Sequence, residues 1–187
     1  TYVGLAEADF RSNPRLRYGF TDYDQMNNAH EQLVLSYSVR TGNAEFEATY
    51  YENDFMRDWF KTDKVYYGGA SKGINNVIDL ANSGDALAIS ILRGTNTTAE
   101  TIKLKHNNRK YTSEGLVLKG NFDLGNHNLT IGYRDTEDDE DRMQWYETTD
   151  WVNGTLSSLV VGSMPGYSSN NRVTTAEASA FFINDEI

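Results

Sequence analysis

The residues best suited to chemistry gather in "RDTEDDEDRMQWYE", from Arg134 to Glu147. Asp135, Glu137, Asp138, Asp139, Glu140 and Asp141 form an almost unbroken acidic run. Clustered carboxylates can hold a divalent cation, but this run lacks the glycine turn and the ligand order of an EF-hand loop. On a strand, alternate members point to opposite faces and scatter the ligands. A solvated strand end is therefore expected, with a cation site as the alternative. Arg142, Trp145 and Tyr146 follow directly, and then Trp151. Lys64, Tyr66 and Tyr67 make a second cationic and aromatic group. Arg pairs bidentately with carboxylates, so these seven residues are the candidate binders of an anionic ligand. The competing reading is loop packing plus an interfacial aromatic belt.

Other catalytic and metal chemistry finds little support. His30, His106 and His127 are isolated, and "HEQLV" lacks the second His four residues on that a zinc helix needs. No G-x-S-x-G elbow marks a nucleophilic serine. "GGASKG", Gly68 to Gly73, lacks the spacing of a phosphate loop. Nothing singles out a pair of carboxylates of the glycosidase kind. The N-x-T sequons at Asn96, Asn128 and Asn153 read as chance. No catalytic residue, metal ligand or cofactor site is assigned, and the chain reads as a non-enzyme.

A net charge of −10 opposes nucleic-acid binding, which needs a basic footprint. With no cysteine, disulfides and thiolate chemistry are excluded. This suits an exported bacterial protein. The chain begins at Thr1 with neither an initiating Met nor a signal peptide, and so is expected to be processed or excised. A mean hydropathy of −0.62 and the lack of any apolar run near ~20 residues exclude a helical span. They do not touch a membrane β-barrel, whose strands alternate.

Five segments read as strands: Ala29 to Arg40, Ala44 to Phe60, Arg109 to Asp123, His127 to Glu147 and Arg172 to Ile187. Thr41-Gly42-Asn43 and Leu124-Gly125-Asn126 are tight hairpin turns. The other connections, Asp63 to Asn108 and Thr148 to Asn171, are long, and Thr1 to Asn28 reads as loop. Strand direction alternates, so the short turns share one end of the sheet and the long loops share the other. Within the first long loop, Ile74, Val77, Ile78 and Ala81 have helical spacing. Ser83-Gly84 would stop that helix and Asp85 would cap a second.

Parity sorts the charges. Leu33, Leu35, Tyr37 and Val39 share one face, opposite Val34, Ser36, Ser38 and Arg40. Phe46, Ala48 and Tyr50 oppose Glu45, Glu47 and Thr49, while Leu116, Leu118 and Phe122 oppose Val117, Lys119 and Asp123. Leu129, Ile131 and Tyr133 oppose Asn128, Thr130 and Arg134. In the last segment Ala176, Ala178, Ala180 and Phe182 are assigned to the apolar face, against Glu177, Ser179, Phe181 and Ile183. Every charge in these windows falls on the second face. A lipid-facing Lys or Arg at the bilayer midplane costs roughly 2–4 kcal/mol, so such sorting is what a membrane face requires. The long second and fourth strands turn polar away from the short turns, as strands do on leaving a bilayer. Tyr37, Tyr50, Phe122 and Tyr133 suit interfacial belts. The alternative is a soluble β-sandwich binding module, perhaps for carbohydrate, which would bury Leu33, Leu35, Leu116, Leu118, Leu129 and Ile131.

"TYVGLAEADFRSNPRLRYGFTDYDQMNNAHEQ", "ATYYENDFMRDWFK", "AISILRG", "NNRKYTSEGLVLKGNFDLGNHNLTIGYRDTEDDEDR" and "ASAFFINDEI" together resemble, in order, TonB-dependent outer-membrane receptors of the ferric citrate type. The resemblance implies an all-β, antiparallel up-and-down transmembrane barrel of about 22 strands. Residues 1–187 would supply five of them, with short periplasmic turns, long extracellular loops and one partly helical loop. The plug domain would lie outside the chain. The implied function is TonB-driven uptake of a ferric chelate, citrate or another siderophore, across a Gram-negative outer membrane. The implied partners are the chelate, the TonB complex acting through the plug, and outer-membrane lipid.

Overall fold

The structure is a computed structural model that describes residues 3–162 and 171–187. Its long strands are β1 (Gln25–Thr41), β2 (Ala44–Tyr67), β4 (Glu100–Asp123), β5 (Asn128–Val152) and β8 (Arg172–Glu186). Short strands β3 (Ala70–Gly73), β6 (Thr155–Leu156) and β7 (Val160–Val161) decorate the loops. Among the described residues all strands join one sheet, ordered β1-β2-β4-β5-β6, with β3 beside β2 and with β7 and β8 beside β5. The fold is thus mostly antiparallel β-sheet, and the sheet does not close. Among the described residues no helix is long and apolar enough to cross a membrane.

The hairpin layout is as the turn residues predict. Gly42 and Gly125 take positive φ of 58° and 82°. Asp123 N–H donates to the Asn43 carbonyl at 2.8 Å, and Asn43 Nδ2 donates to the Asp123 carbonyl at 2.5 Å. The two tight turns therefore sit side by side.

Three expectations need correction. β2 and β5 run on to Tyr67 and Val152, and β4 begins at Glu100, so the long connections are shorter than predicted. "TIKLKH" alternates Ile102, Leu104 and His106, all buried, with half-buried Lys103 and Lys105, a strand signal that the loop reading overlooked. The opening segment is not all loop: it carries α1 (Glu7–Ser12) and a 3₁₀ turn at Gly19–Thr21. The faces of β8 are inverted. Tyr133 pairs with Phe181 and Ile131 with Ile183 across β5, so Phe181 and Ile183 share the apolar face. Phe182 instead lies over Gly132, where a Cβ would run into its ring. Residues 163–170 of the second long connection lie outside the described residues.

The chain divides into two compact units. The first comprises Thr1–Asn27, Asp58–Asn108 and Met143–Asn170. It contains all the buried apolar core found among the described residues, from Tyr18 and Phe20 through Phe60, Val65, Ile102 and Leu104 to Trp151. Helices α2 (Ile74–Asn82) and α3 (Ala86–Arg93) form here because their apolar residues recur at helical spacing. Ile74, Val77, Ile78 and Ala81 are all buried, as predicted. Asp85 caps α3 by accepting Ala88 N–H at 2.8 Å. Gly94 ends it in the left-handed region, at φ 70°. Asp9, in α1, is buried and held by Arg93 Nη2 at 2.7 Å and by the Tyr18 hydroxyl at 2.8 Å. Burial pushes the Asp9 carboxyl up, but these hydrogen bonds and the guanidinium charge outweigh it and hold the group below its ordinary value.

The second unit comprises Asn28–Arg57, Arg109–Arg142 and Asn171–Ile187. It is a sheet with no buried hydrophobic side chain among the described residues. Leu35 is 60% exposed, Tyr37 69% and Phe181 85%. Leu33, Leu116, Leu118 and Ile131 are exposed as well, and Leu129 is half-buried. Phe46 meets Phe122 edge to face at 5.7 Å, and Tyr133 tilts against Phe181 at 4.8 Å, so the rings pack only along the surface. Among the described residues no second sheet covers them, unlike the arrangement a sandwich needs.

Candidate anionic-ligand face

In the first unit, the parts of β2, β4 and β5 remote from the two tight turns have a core side and an open side. Phe60, Thr62 and Val65 are buried on β2. The spacing from Thr62 to Val65 is odd, so the alternation slips by one and both Lys61 and Lys64 reach the open side. On β4 the open side carries Lys103 and Lys105, and on β5 it carries Tyr146.

These side chains interlock. Lys61 Nζ lies 4.1 Å from the Trp59 ring centre, and Lys103 Nζ lies 5.1 Å from that of Tyr66. Lys64 and Lys105 approach the Tyr146 ring at 5.8 and 6.0 Å. An ammonium over a ring face within about 6 Å is held by the ring quadrupole. The Tyr146 hydroxyl donates to Asp63 at 2.9 Å. Burial first, and then the Asp63 hydrogen bond and charge, push Tyr146 up to about 12, so it remains a neutral donor. Thr101 donates to Asp150 at 3.2 Å and Gln144 to Asn107 at 2.6 Å on the same side. Four of the seven lysines of this acidic chain thus share one surface with Asp63 and Asp150. Such a surface can gather an anion and stack its planar groups.

The seven residues singled out in sequence are split by the fold. Lys64, Tyr66 and Tyr146 belong to this face. Tyr67 turns to Asp85, donating its hydroxyl at 2.5 Å, a bond that draws Asp85 below its ordinary value. Trp145 stacks on His106 at 4.1 Å. Trp151 is core, its indole N–H donating to the Ile91 carbonyl at 2.7 Å. Arg142 belongs to the second unit. Trp59, Lys61, Lys103 and Lys105 were missed, although the alternation in "KLK" was a usable signal.

The histidines have structural partners. His106 is sandwiched by Phe60 and Trp145, each at 4.1 Å, with Asp58 at 2.7 Å from Nδ1 and Glu147 at 3.0 Å from Nε2. Both ring nitrogens and both ring faces are therefore occupied. His30 meets Phe55 edge to face, and His127 contacts Asp185 at 2.8 Å. The acidic run divides by parity. Glu140 takes Arg109 at 2.5 Å, while Asp139, on the other face, accepts from Thr175. Among the described residues no group of three or more His, Cys, Asp or Glu is placed to hold a metal.

No protein-family model, curated protein or solved structure matches this chain.

Proposed function

We propose that the chain forms part of an outer-membrane β-barrel whose external face gathers an anionic ligand, in the manner of a TonB-dependent receptor for a ferric chelate. One observation carries the reading: the second unit presents its alternating apolar face with no buried hydrophobic residue, while the first unit keeps a complete water-type core. An exposed apolar surface of this extent needs a partner, and a sheet face bearing leucine and aromatic rings suits lipid. Among the described residues β1 and β8 each pair on one side only. Lipid does not tolerate open edges, so further strands would complete the barrel. The lysine and aromatic face in the first unit suits a chelate that carries carboxylates. The TonB dependence and the ferric cargo rest on the sequence resemblance.

Fractionation of source cells, probed with an antibody to Asp135–Trp151, tests the proposal. An outer-membrane band much larger than 21.1 kDa is expected. A soluble band near that mass would overturn it.

A further inference from the structure

We infer that a row of four arginines across the second unit, Arg57, Arg109, Arg142 and Arg172, binds an extended, multiply charged oxyanion. The inference stands on their alignment and does not depend on membrane placement.

The register brings the four together. Arg142 pairs directly with Arg172 across β5 and β8. On β4 and β5, Thr130 donates to Asn121 at 2.9 Å. Continuing that pairing along both strands sets Arg109 opposite Arg142. On β2 and β4, Thr112 donates to Asp54 at 2.8 Å, Tyr111 stacks on Phe55, and Lys119 reaches Glu47 at 3.6 Å. Those pairs share one register, which sets Arg57 opposite Arg109. The arginines thus occupy one level of four adjacent strands, β2-β4-β5-β8. Neighbouring strands lie about 4.8 Å apart, so the row is about 14 Å long.

Such a row is unfavourable without counter-charge, since like charges directly opposite on neighbouring strands repel. Glu140 lies on that face, at 2.5 Å from Arg109 and 3.5 Å from Arg172. Asp138 is one alternation further along β5. Arg109 also donates to the Tyr111 hydroxyl at 3.1 Å. The Nε atoms of Arg57 and Arg142 are buried and have no acceptor among the described residues. Guanidiniums aligned at strand spacing, with the Nε donors of Arg57 and Arg142 open, match a ligand with several oxyanion groups along a line, each taking a forked pair of N–H donors. The row lies on the face opposite Leu118 and Ile131, which assigns it to a water-soluble polyanion rather than to lipid.

Titration calorimetry of the full chain in a non-ionic detergent at ~0.1 M salt, with inorganic tripolyphosphate as probe, tests this. One saturable site is expected, at least tenfold tighter for tripolyphosphate than for orthophosphate. R57M and R142M should each weaken it at least tenfold. R142K, which keeps the charge but loses the fork, should weaken it less than R142M does. Should the methionine variants fail to fold, the R142K/R172K double variant decides by losing the preference for tripolyphosphate. Equal affinity for the two anions, absence of saturable binding, or binding lost in K103M/K105M but kept in the arginine variants would overturn the inference.

Discussion

Two glycines in the first unit separate backbone strain from crowding. Gly84 and Gly94 both have positive φ, 87° and 70°. A Cβ on Gly84 would meet nothing within 4 Å. One on Gly94 would lie 2.6 Å from Trp151 Cζ2 and 2.9 Å from the Gly154 Cα. Neither obstacle can yield cheaply. Gly154 is backbone, and the indole is tethered to the Ile91 carbonyl at 2.7 Å. The left-handed region costs an alanine roughly 1–2 kcal/mol, so Gly84→Ala should cost about that much. Overpacking adds roughly 1–3 kcal/mol, so Gly94→Ala should cost about 2–5 kcal/mol in all. The entropy an alanine removes from the unfolded chain is common to both and cancels in the comparison. Urea unfolding read by tryptophan fluorescence is the assay, because Trp59, Trp145 and Trp151 all lie in this unit. Equal midpoints for the two variants would refute the close packing of Trp151 against the α3 cap.

On the apolar face, Leu118→Lys should cost about 2–4 kcal/mol of insertion into lipid vesicles, while Val117→Lys, beside Lys119 and Glu47, should cost less than about 1. Protease protection would measure both, and equal effects would oppose a lipid face. Trp151→Phe keeps most of the ring but leaves the Ile91 carbonyl with only the Gly94 N–H, at 3.3 Å, for a loss of about 0.5–1.5 kcal/mol in the same urea assay. Asp9→Asn should destabilise the first unit by about 1–3 kcal/mol at pH 7. Because the folded carboxyl sits below its ordinary 3.8, its contribution is present above that value and lost as pH falls through the lowered one, so the variant should approach the parent once the carboxyl is protonated. A gap that persists at low pH would point to packing instead. K103M/K105M should weaken citrate binding at least tenfold by calorimetry without moving the urea midpoint, since both lysines lie on the open side.

Local patterns were legible because they repeat within one segment. Period-two alternation marked the five long strands, and Gly42 and Gly125 marked their turns. Ile74, Val77, Ile78 and Ala81, with Asp85 behind them, marked both helices. What depended on a neighbour was not legible. "AEASAFFINDEI" has small residues on one parity and adjacent phenylalanines across both, so only the pairing of Tyr133 with Phe181 decides which ring faces outward. The slip between Thr62 and Val65, which delivers Lys64 to the open side, follows from core packing around Val65. Trp151 resembled a surface aromatic until α3 and Gly94 closed over it. Arg57, Arg109, Arg142 and Arg172 are far apart in the chain, and only Arg142 stood out singly. Inter-strand register, a long-range property that alternation leaves free by any even number of residues, aligns them.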